Sequence, residues 1–365
     1  MDNGKIKIAI VARSLAGGGA ERFSALLATM LFDLGFEVKV VTVLDEIEYE
    51  YKGELFNLGK YKNADDSILG RIKRLFLFRK FLKAQNFDWV IDSRIRSASW
   101  SEYIISKFIY TPKKTLYVVH SYKLENYFPK NRLVASLIYK DAAKVITVSK
   151  EIENRIQSEL GYKNTETIYN AIDPNLILKS KESNVISDRY ILAYGRIIDS
   201  IKNYSLLIES YANSTLPEQN ISLLILGDGI DVSMLQRRVA ELELTDKVIF
   251  KPKEVNPFPF VKQAIFTILT SRNEGFPMVL IESLALGTPV ISVDCQSGPR
   301  EIIQNEHNGL LVENHNPGAL SNAMNRMLFD TDLYAICKKN AAMSVRYLAV
   351  ENIGKEWEAI LMGKK

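Results

Sequence analysis

Apolar runs of strand length alternate with amphipathic helical stretches along the whole chain, and this alternation is the strongest constraint on what it can fold into. Strands buried on both faces need continuous apolar runs, and the returning helices need one apolar face, so the repeated pair predicts βα units around parallel sheets. Strands are expected near Ile6 to Ala12, Val38 to Leu44, Trp89 to Asp92, Thr115 to Val119 and Lys144 to Val148. The pattern breaks across Ala171 to Arg189, where IDPN and the polar KSKESN intervene, and restarts at Tyr190 to Tyr194. Further strands are expected near Ser222 to Leu226, Lys247 to Phe250, Ile265 to Leu269 and Pro289 to Val293, before helices that end around Trp357. A chain of 365 residues exceeds what one core usually organises. The expectation is therefore an α/β protein of two Rossmann-like, doubly wound domains, residues 1–175 and 176–349, with a last helix at about 350–365 that packs back on the first. Such domains facing one another across a cleft place ligands beyond the carboxyl ends of their strands, so functional residues are sought on the loops that follow strands.

Composition excludes several classes. Hydrophobic residues make up 47% and charged residues 25%, which is enough apolar material for large cores and rules out a disordered chain. The two cysteines, Cys295 and Cys337, belong to no CxxC or metal-spaced set, as expected for a reducing cytosolic compartment. The opening MDNGKIKIAIVA lacks the features of an export signal and reads as a first buried strand. No apolar run reaches the roughly 18 residues of a bilayer span. Charge is uneven: residues 1–180 hold 28 Lys and Arg against 21 Asp and Glu, and the remainder holds 19 against 22. A basic first half points to an anionic partner there.

Three post-strand segments carry chemistry. After the first strand comes Ser14 to Arg22, SLAGGGAER, whose glycines let backbone approach a ligand at a helix N-terminus; a packing turn is the competing reading. Its spacing fits neither G-x-G-x-x-G nor the P-loop pattern. In the second half, Gly195 and Arg196 close a strand and Lys202 follows, so two cations share one loop and can clamp a diphosphate. The sharpest signal is EGFPMVLIE, with Glu274 and Glu282 eight positions apart. Glu282 lies in an apolar helical run and needs a hydrogen-bond donor, from a ribose diol or a nearby protein group. Gly275 and Pro277 shape the turn between them, so that the N–H groups of Phe276, Met278 and Val279 can face phosphate.

These stretches resemble the retaining family-4 glycosyltransferases, which have the GT-B architecture and use nucleotide-sugar donors. The likeness covers essentially the whole chain and is most specific from Phe250 to Glu301, including NPFPF, SRNEGFPMVLIESLALGTPV and SGPREII. Within the family, it is similar to bacterial enzymes of surface polysaccharide, lipopolysaccharide or lipid-linked oligosaccharide synthesis, in particular N-acetylgalactosaminyltransferases acting on polyprenyl-diphosphate glycans. The resemblance implies that Arg196 and Lys202 neutralise the leaving diphosphate, that Glu282 binds ribose and that Glu274 lies near the donor sugar. It also implies that Gly18 and Gly19 form the closing turn, that His120 in LYVVHS is the cleft histidine and that Asn170 in IYNAID sits beside the domain crossing. Lys251 and Asn256 are further candidate site residues on the same resemblance, near the nucleotide-contact loop. There the common FxG appears as Phe250-Lys251-Pro252, without its glycine.

The implied reaction moves a sugar, GalNAc or another hexose or HexNAc, from a UDP-type donor to a glycan on a lipid carrier, with no cofactor and no metal. The other expectations are an epimerase or phosphorylase-like enzyme on the same architecture, and a nucleotide-sugar-binding membrane scaffold without catalysis. Residues 70–83, GRIKRLFLFRKFLK, interleave six basic residues with apolar ones and contain no acid. That pattern suits peripheral contact with the cytoplasmic face of the inner membrane, or a core helix with a solvated basic edge. No nucleic-acid-binding module accompanies the charge.

Overall fold

The computed structural model describes residues 5–62, 67–96, 98–181 and 189–363. Residues 1–4 of the opening segment, residues 63–66 and residues 182–188 of the expected interdomain break lie outside the described residues. The chain forms two compact units: Met1–Ala171 together with Val350–Lys365, and Ile172–Ala349.

The first unit is built on a seven-stranded sheet, all of whose pairings are parallel. Its strands are β1 (Lys7–Ala12), β2 (Glu37–Thr42), β3 (Glu54–Asn57), β4 (Trp89–Asp92), β5 (Thr115–Val119), β6 (Lys144–Thr147) and β7 (Thr165–Thr167). Their spatial order is β3-β2-β1-β4-β5-β6-β7. The central strands are buried almost throughout, as in the all-buried β5, TLYVV, which explains their continuous apolar sequences. The edges β3 and β7 were not foreseen. Covered on one side only, ELFN and TET remain partly exposed and carry charged and hydroxyl residues that hide the strand signal.

The second unit is a six-stranded parallel sheet of β8 (Tyr190–Tyr194), β9 (Ser222–Leu226), β10 (Val248–Lys251), β11 (Thr267–Leu269), β12 (Val290–Val293) and β13 (Gly309–Val312), in the order β10-β9-β8-β11-β12-β13. Strand periodicity sorts its apolar residues into two cores. Ile191, Ala193, Leu223 and Ile225 join one, and Tyr190, Leu192, Leu224 and Leu226 the other, so both faces are covered.

The last helix, Val350–Leu361, belongs to the first unit. Gly354 lets it approach the helix Gly19–Asp33, where an added Cβ would sit 3.3 Å from Leu34 Cδ1. Trp357 is fully buried with its ring 6.3 Å from Phe23, and Trp89 Nε1 donates to the Leu361 carbonyl at 2.9 Å.

Candidate functional site

In both sheets the strand order reverses beside the first strand of the unit, between β1 and β4 and between β8 and β11. The loops leaving those neighbouring strands diverge there and leave a crevice in which doubly wound folds bind ligands. Gly18 and Gly19 fall where the β1 loop enters its helix, Gly195, Arg196 and Lys202 on the β8 loop and Glu274 to Pro277 on the β11 loop, whereas His120 follows β5, Asn170 follows β7, Lys251 ends β10 and Asn256 follows it.

In the second unit, the β8 loop starts at Gly195, whose φ of 131° suits glycine, and the next residue, Arg196, is exposed. Among the described residues its guanidinium has no ion-pair or hydrogen-bond partner. The loop ends in a short turn of helix, Asp199–Lys202, and Asn203 at φ 55°. Three contacts bind it to the β11 loop. Thr270 Oγ1 donates to the Lys202 carbonyl at 2.9 Å, Arg272 N to the Ile201 carbonyl at 2.8 Å and Arg272 Nη2 to Asn203 Oδ1 at 2.8 Å. Lys202 Nζ consequently lies 2.7 Å from Glu274 Oε1, so residues 72 positions apart form a partly exposed ion pair.

Gly275, Phe276 and Pro277 are buried, and Met278 and Val279 begin the helix Met278–Ala285, which no side chain caps. Its first N–H groups thus keep the donor character expected at an anion site. Glu282, 2% exposed, accepts from Tyr194 Oη at 3.0 Å. The need for a donor at this buried acid is met in part by the protein, from the last residue of β8.

Sequence reasoning gave no role to two further loops of this crevice, although SGPREII, which starts at Ser297 on the second, carries part of the resemblance. Gly227-Asp228-Gly229, after β9, presses so closely on the β8 loop that a Cβ at Gly227 would come 1.9 Å from the Gly195 carbonyl oxygen, and one at Gly229 1.8 Å from that of Ile197. The signal was a G-D-G directly after an apolar strand. After β12, Glu274 N donates to the Gln296 carbonyl at 2.8 Å and Ser297 Oγ to the Gly275 carbonyl at 2.8 Å, supporting the turn. Lys251 and Asn256 are occupied structurally. Lys251 pairs with Glu254 at 2.9 Å and lies over the Phe260 ring, while Asn256 bonds the Lys179 carbonyl and the Phe258 N–H.

In the first unit, Gly17 has φ 87° and Gly18 is the N-cap of Gly19–Asp33, again without a side-chain cap. His120, at the end of β5, lies with its Nε2 2.8 Å from Ser93 Oγ, and Ser24 Oγ donates to Ser93 at 2.9 Å. Phe23 packs edge-on at 4.8 Å between ring centroids. Burial, with the Arg96 guanidinium nearby, pushes the imidazole down to about 3, so it is neutral near pH 7 and does not act as a cationic acid there. Asn170 is buried.

The unfolded chain, with an ordinary histidine near 6.5, takes up this proton before the folded one does. Stability is therefore full above about pH 6.5 and falls as pH drops toward 3. Between pH 7.5 and 5, wild type is expected to lose about 1–2 kcal/mol more than His120→Asn in denaturant titrations. Parallel losses in the two proteins would overturn the assignment.

Ser93 opens a loop whose other side chains form a buried charge cluster that sequence reading did not anticipate. Arg94 holds Asp92 through Nε and Nη2 at 3.0 and 2.7 Å and reaches Glu102 at 3.0 Å; Tyr110 Oη donates to Asp92 at 3.0 Å. Arg96, 1% exposed, bonds the carbonyls of Asp92, Arg94 and Val118 and lies 5.0 to 5.7 Å from the ring centres of Tyr117, Tyr127 and Tyr139. Burial works to raise the Asp92 pKa, but the Arg94 and Arg96 charges and the Arg94 hydrogen bonds hold it below the usual carboxylate value.

Two Rossmann-type units in one chain, the second gathering cations and carboxylates at its switch point, define a GT-B protein of the glycosyltransferase class. Residues 17–176 match the family described as Glycosyltransferase Family 4, and residues 177–343 the one described as Glycosyl transferases group 1. The chain belongs to the family-4 glycosyltransferases. It is 32% identical, over 98% of its length and 100% of the relative's, to the Campylobacter jejuni N-acetylgalactosamine-N,N'-diacetylbacillosaminyl-diphospho-undecaprenol 4-alpha-N-acetylgalactosaminyltransferase. It is 27% identical to the lipopolysaccharide 1,6-galactosyltransferase of Salmonella typhimurium over 76% of this chain and 74% of that one. The solved structure of Anabaena HepE in complex with UDP-glucose superposes with a TM-score of 0.80 at 20% identity, covering 98% of this chain and all of the other, a likeness of fold.

Proposed function

We propose that this glycosyltransferase moves a sugar from a UDP-sugar, GalNAc or a related hexose or HexNAc, to a hydroxyl of a glycan on a polyprenyl-diphosphate carrier in bacterial surface glycan synthesis. The observation that carries the reading is the Lys202–Glu274 contact at the switch point of the second sheet, made from the same β8 loop that carries exposed Arg196. A diphosphate there meets two cations and the uncapped helix at Met278, and Glu274 is placed to exchange Lys202 for donor-sugar hydroxyls. Glu282 serves the ribose. Gly18 and Gly19 contribute the donor-closing turn, and neutral His120 orients the sugar.

In the reaction, the bond between the anomeric carbon and the diphosphate oxygen breaks as Arg196, Lys202 and helix N–H groups stabilise the developing negative charge. The acceptor hydroxyl attacks from the leaving-group face and passes its proton to the departing phosphate oxygen, so anomeric configuration is retained. No metal enters the scheme. The full name of the Campylobacter relative and the UDP-glucose in HepE support the acceptor and donor classes.

A panel of UDP-sugars with a lipid-linked glycan, followed by product analysis, tests the reading. An extended glycan plus free UDP is expected for one donor. An epimerised donor, or binding without UDP release, would replace it with one of the other two functions.

The enzyme works at the cytoplasmic face of the membrane, peripherally. Among the described residues no helix is long and apolar enough to cross a bilayer. The helix Ile68–Gln85 buries Gly70, Phe78 and Leu82 while Ile68, Leu69, Ile72 and Phe76 remain 57 to 79% exposed, which favours surface contact over a core-only role. Sedimentation with anionic liposomes is expected to weaken with salt and after neutralising Arg71, Lys73 and Arg74; salt-independent sedimentation would count against it.

A further inference from the structure

A pocket of about 510 Å³ opens in the first unit, walled by Trp100, Tyr103, Pro129, Val134 and Leu137. Its size falls in the range of small-molecule sites. Its walls come from the helix Ser99–Ile104, in the segment after β4, and from the entry and body of the helix Arg132–Tyr139, in the segment after β5. These two segments also carry Ser93 and His120, so the pocket is built from the same carboxyl-edge connections as the His120 site.

Its rim combines two features. Trp100 stands 82% exposed and Leu137 46%, an apolar opening that is left uncovered among the described residues. Beside it, Lys130 lines the mouth and is exposed, and among the described residues it has no ion-pair partner. Asn131 already caps the helix by accepting from Leu133 N at 2.9 Å and Val134 N at 3.3 Å, so anion attraction at this mouth rests on Lys130. Between residues 98 and 140 the chain carries seven Lys and Arg against two acids, and one of these, Glu102, is buried against Arg94.

An apolar slot with a cationic mouth matches a molecule that joins a hydrocarbon chain to a phosphate anion. We propose that this pocket holds the prenyl chain of the lipid-diphosphate acceptor, with Lys130 facing its diphosphate. The inference rests on the polyprenyl-diphosphate acceptor class proposed above and adds where that carrier is gripped. Trp100 then lies at the polar–apolar boundary of the bound lipid, a position that suits its amphipathic ring.

The test uses farnesyl diphosphate as a water-soluble probe and tryptophan emission as the readout, since Trp100 is the highly exposed indole and Trp357 is buried. Wild type is expected to bind the probe at least ten-fold more tightly than inorganic pyrophosphate. Leu137→Glu, at a half-exposed wall position, is expected to weaken the probe ten-fold or more. Lys130→Glu is expected to weaken it similarly and to flatten its salt dependence. UDP binding is followed separately, and a far-UV circular dichroism spectrum and denaturant titration matching wild type report that the first unit is folded in each variant. Equal binding by wild type and Leu137→Glu would overturn the proposal, as would full competition by pyrophosphate. Displacement of the probe by phosphatidylglycerol vesicles at equal phosphate concentration would also overturn it, by making the surface a general bilayer contact. If wild type fails to bind UDP while probe binding follows the expected pattern, the sugar-transfer reading falls and the pocket assignment stands.

Discussion

Replacing Lys202 or Arg196 with alanine is expected to lower turnover by about 10²-fold or more, with little change in melting temperature. The first part follows from the loss of one charge aimed at the departing diphosphate, where removing a single transition-state donor commonly costs that much. The second follows from exposure. Arg196 is exposed, and the Lys202–Glu274 pair is partly solvated, with side chains 27% and 14% exposed, so its contribution to stability is about 1 kcal/mol or less. Lys202→Ala also releases Glu274 from its ion pair. Steady-state kinetics with thermal melts checks both parts, and unchanged turnover in either variant would remove that residue from the mechanism.

Asp92→Asn is expected to destabilise the first unit by about 3–5 kcal/mol, the cost of leaving a buried charge uncompensated. Asp92 is fully buried and accepts two side-chain bonds and one backbone N–H bond from Arg94 and one bond from Tyr110. With the carboxylate gone, Arg94 keeps only Glu102, whose own pKa is raised by burial and by the neighbouring Asp92 charge. Because the chain forms two units, unfolding need not be two-state. Denaturant titrations should therefore be paired with UDP binding, which the reading assigns to the second unit and which should survive the change. A loss under about 1 kcal/mol would mean that the cluster relaxes or admits water.

The uneven legibility of this chain has physical causes. Central parallel strands are buried on both faces, so β1, β5, β8 and β9 show as apolar runs, whereas the edges β3 and β7 are half-solvated and do not. Glu282 was conspicuous because a carboxylate inside VLIESLAL demands a partner, but that the partner would include Tyr194 depended on β8 lying beside the helix Met278–Ala285. The Asp92–Arg94–Arg96–Glu102 cluster was illegible for the opposite reason. A run such as DSRIRS reads as solvated loop until packing encloses it among tyrosines from distant segments.

By itself the sequence determined the alternation of strands and helices and the residue types on the loops that follow strands, because both depend on local period and on chemistry carried in cis. Tertiary structure alone decided which of those loops meet. Lys202 touches Glu274 because β8 and β11 are neighbours across a reversal of strand order, a pairing 72 residues apart that no local pattern encodes. The slot between Trp100 and Leu137 likewise exists only where two helices from successive connections pack and leave apolar side chains facing water.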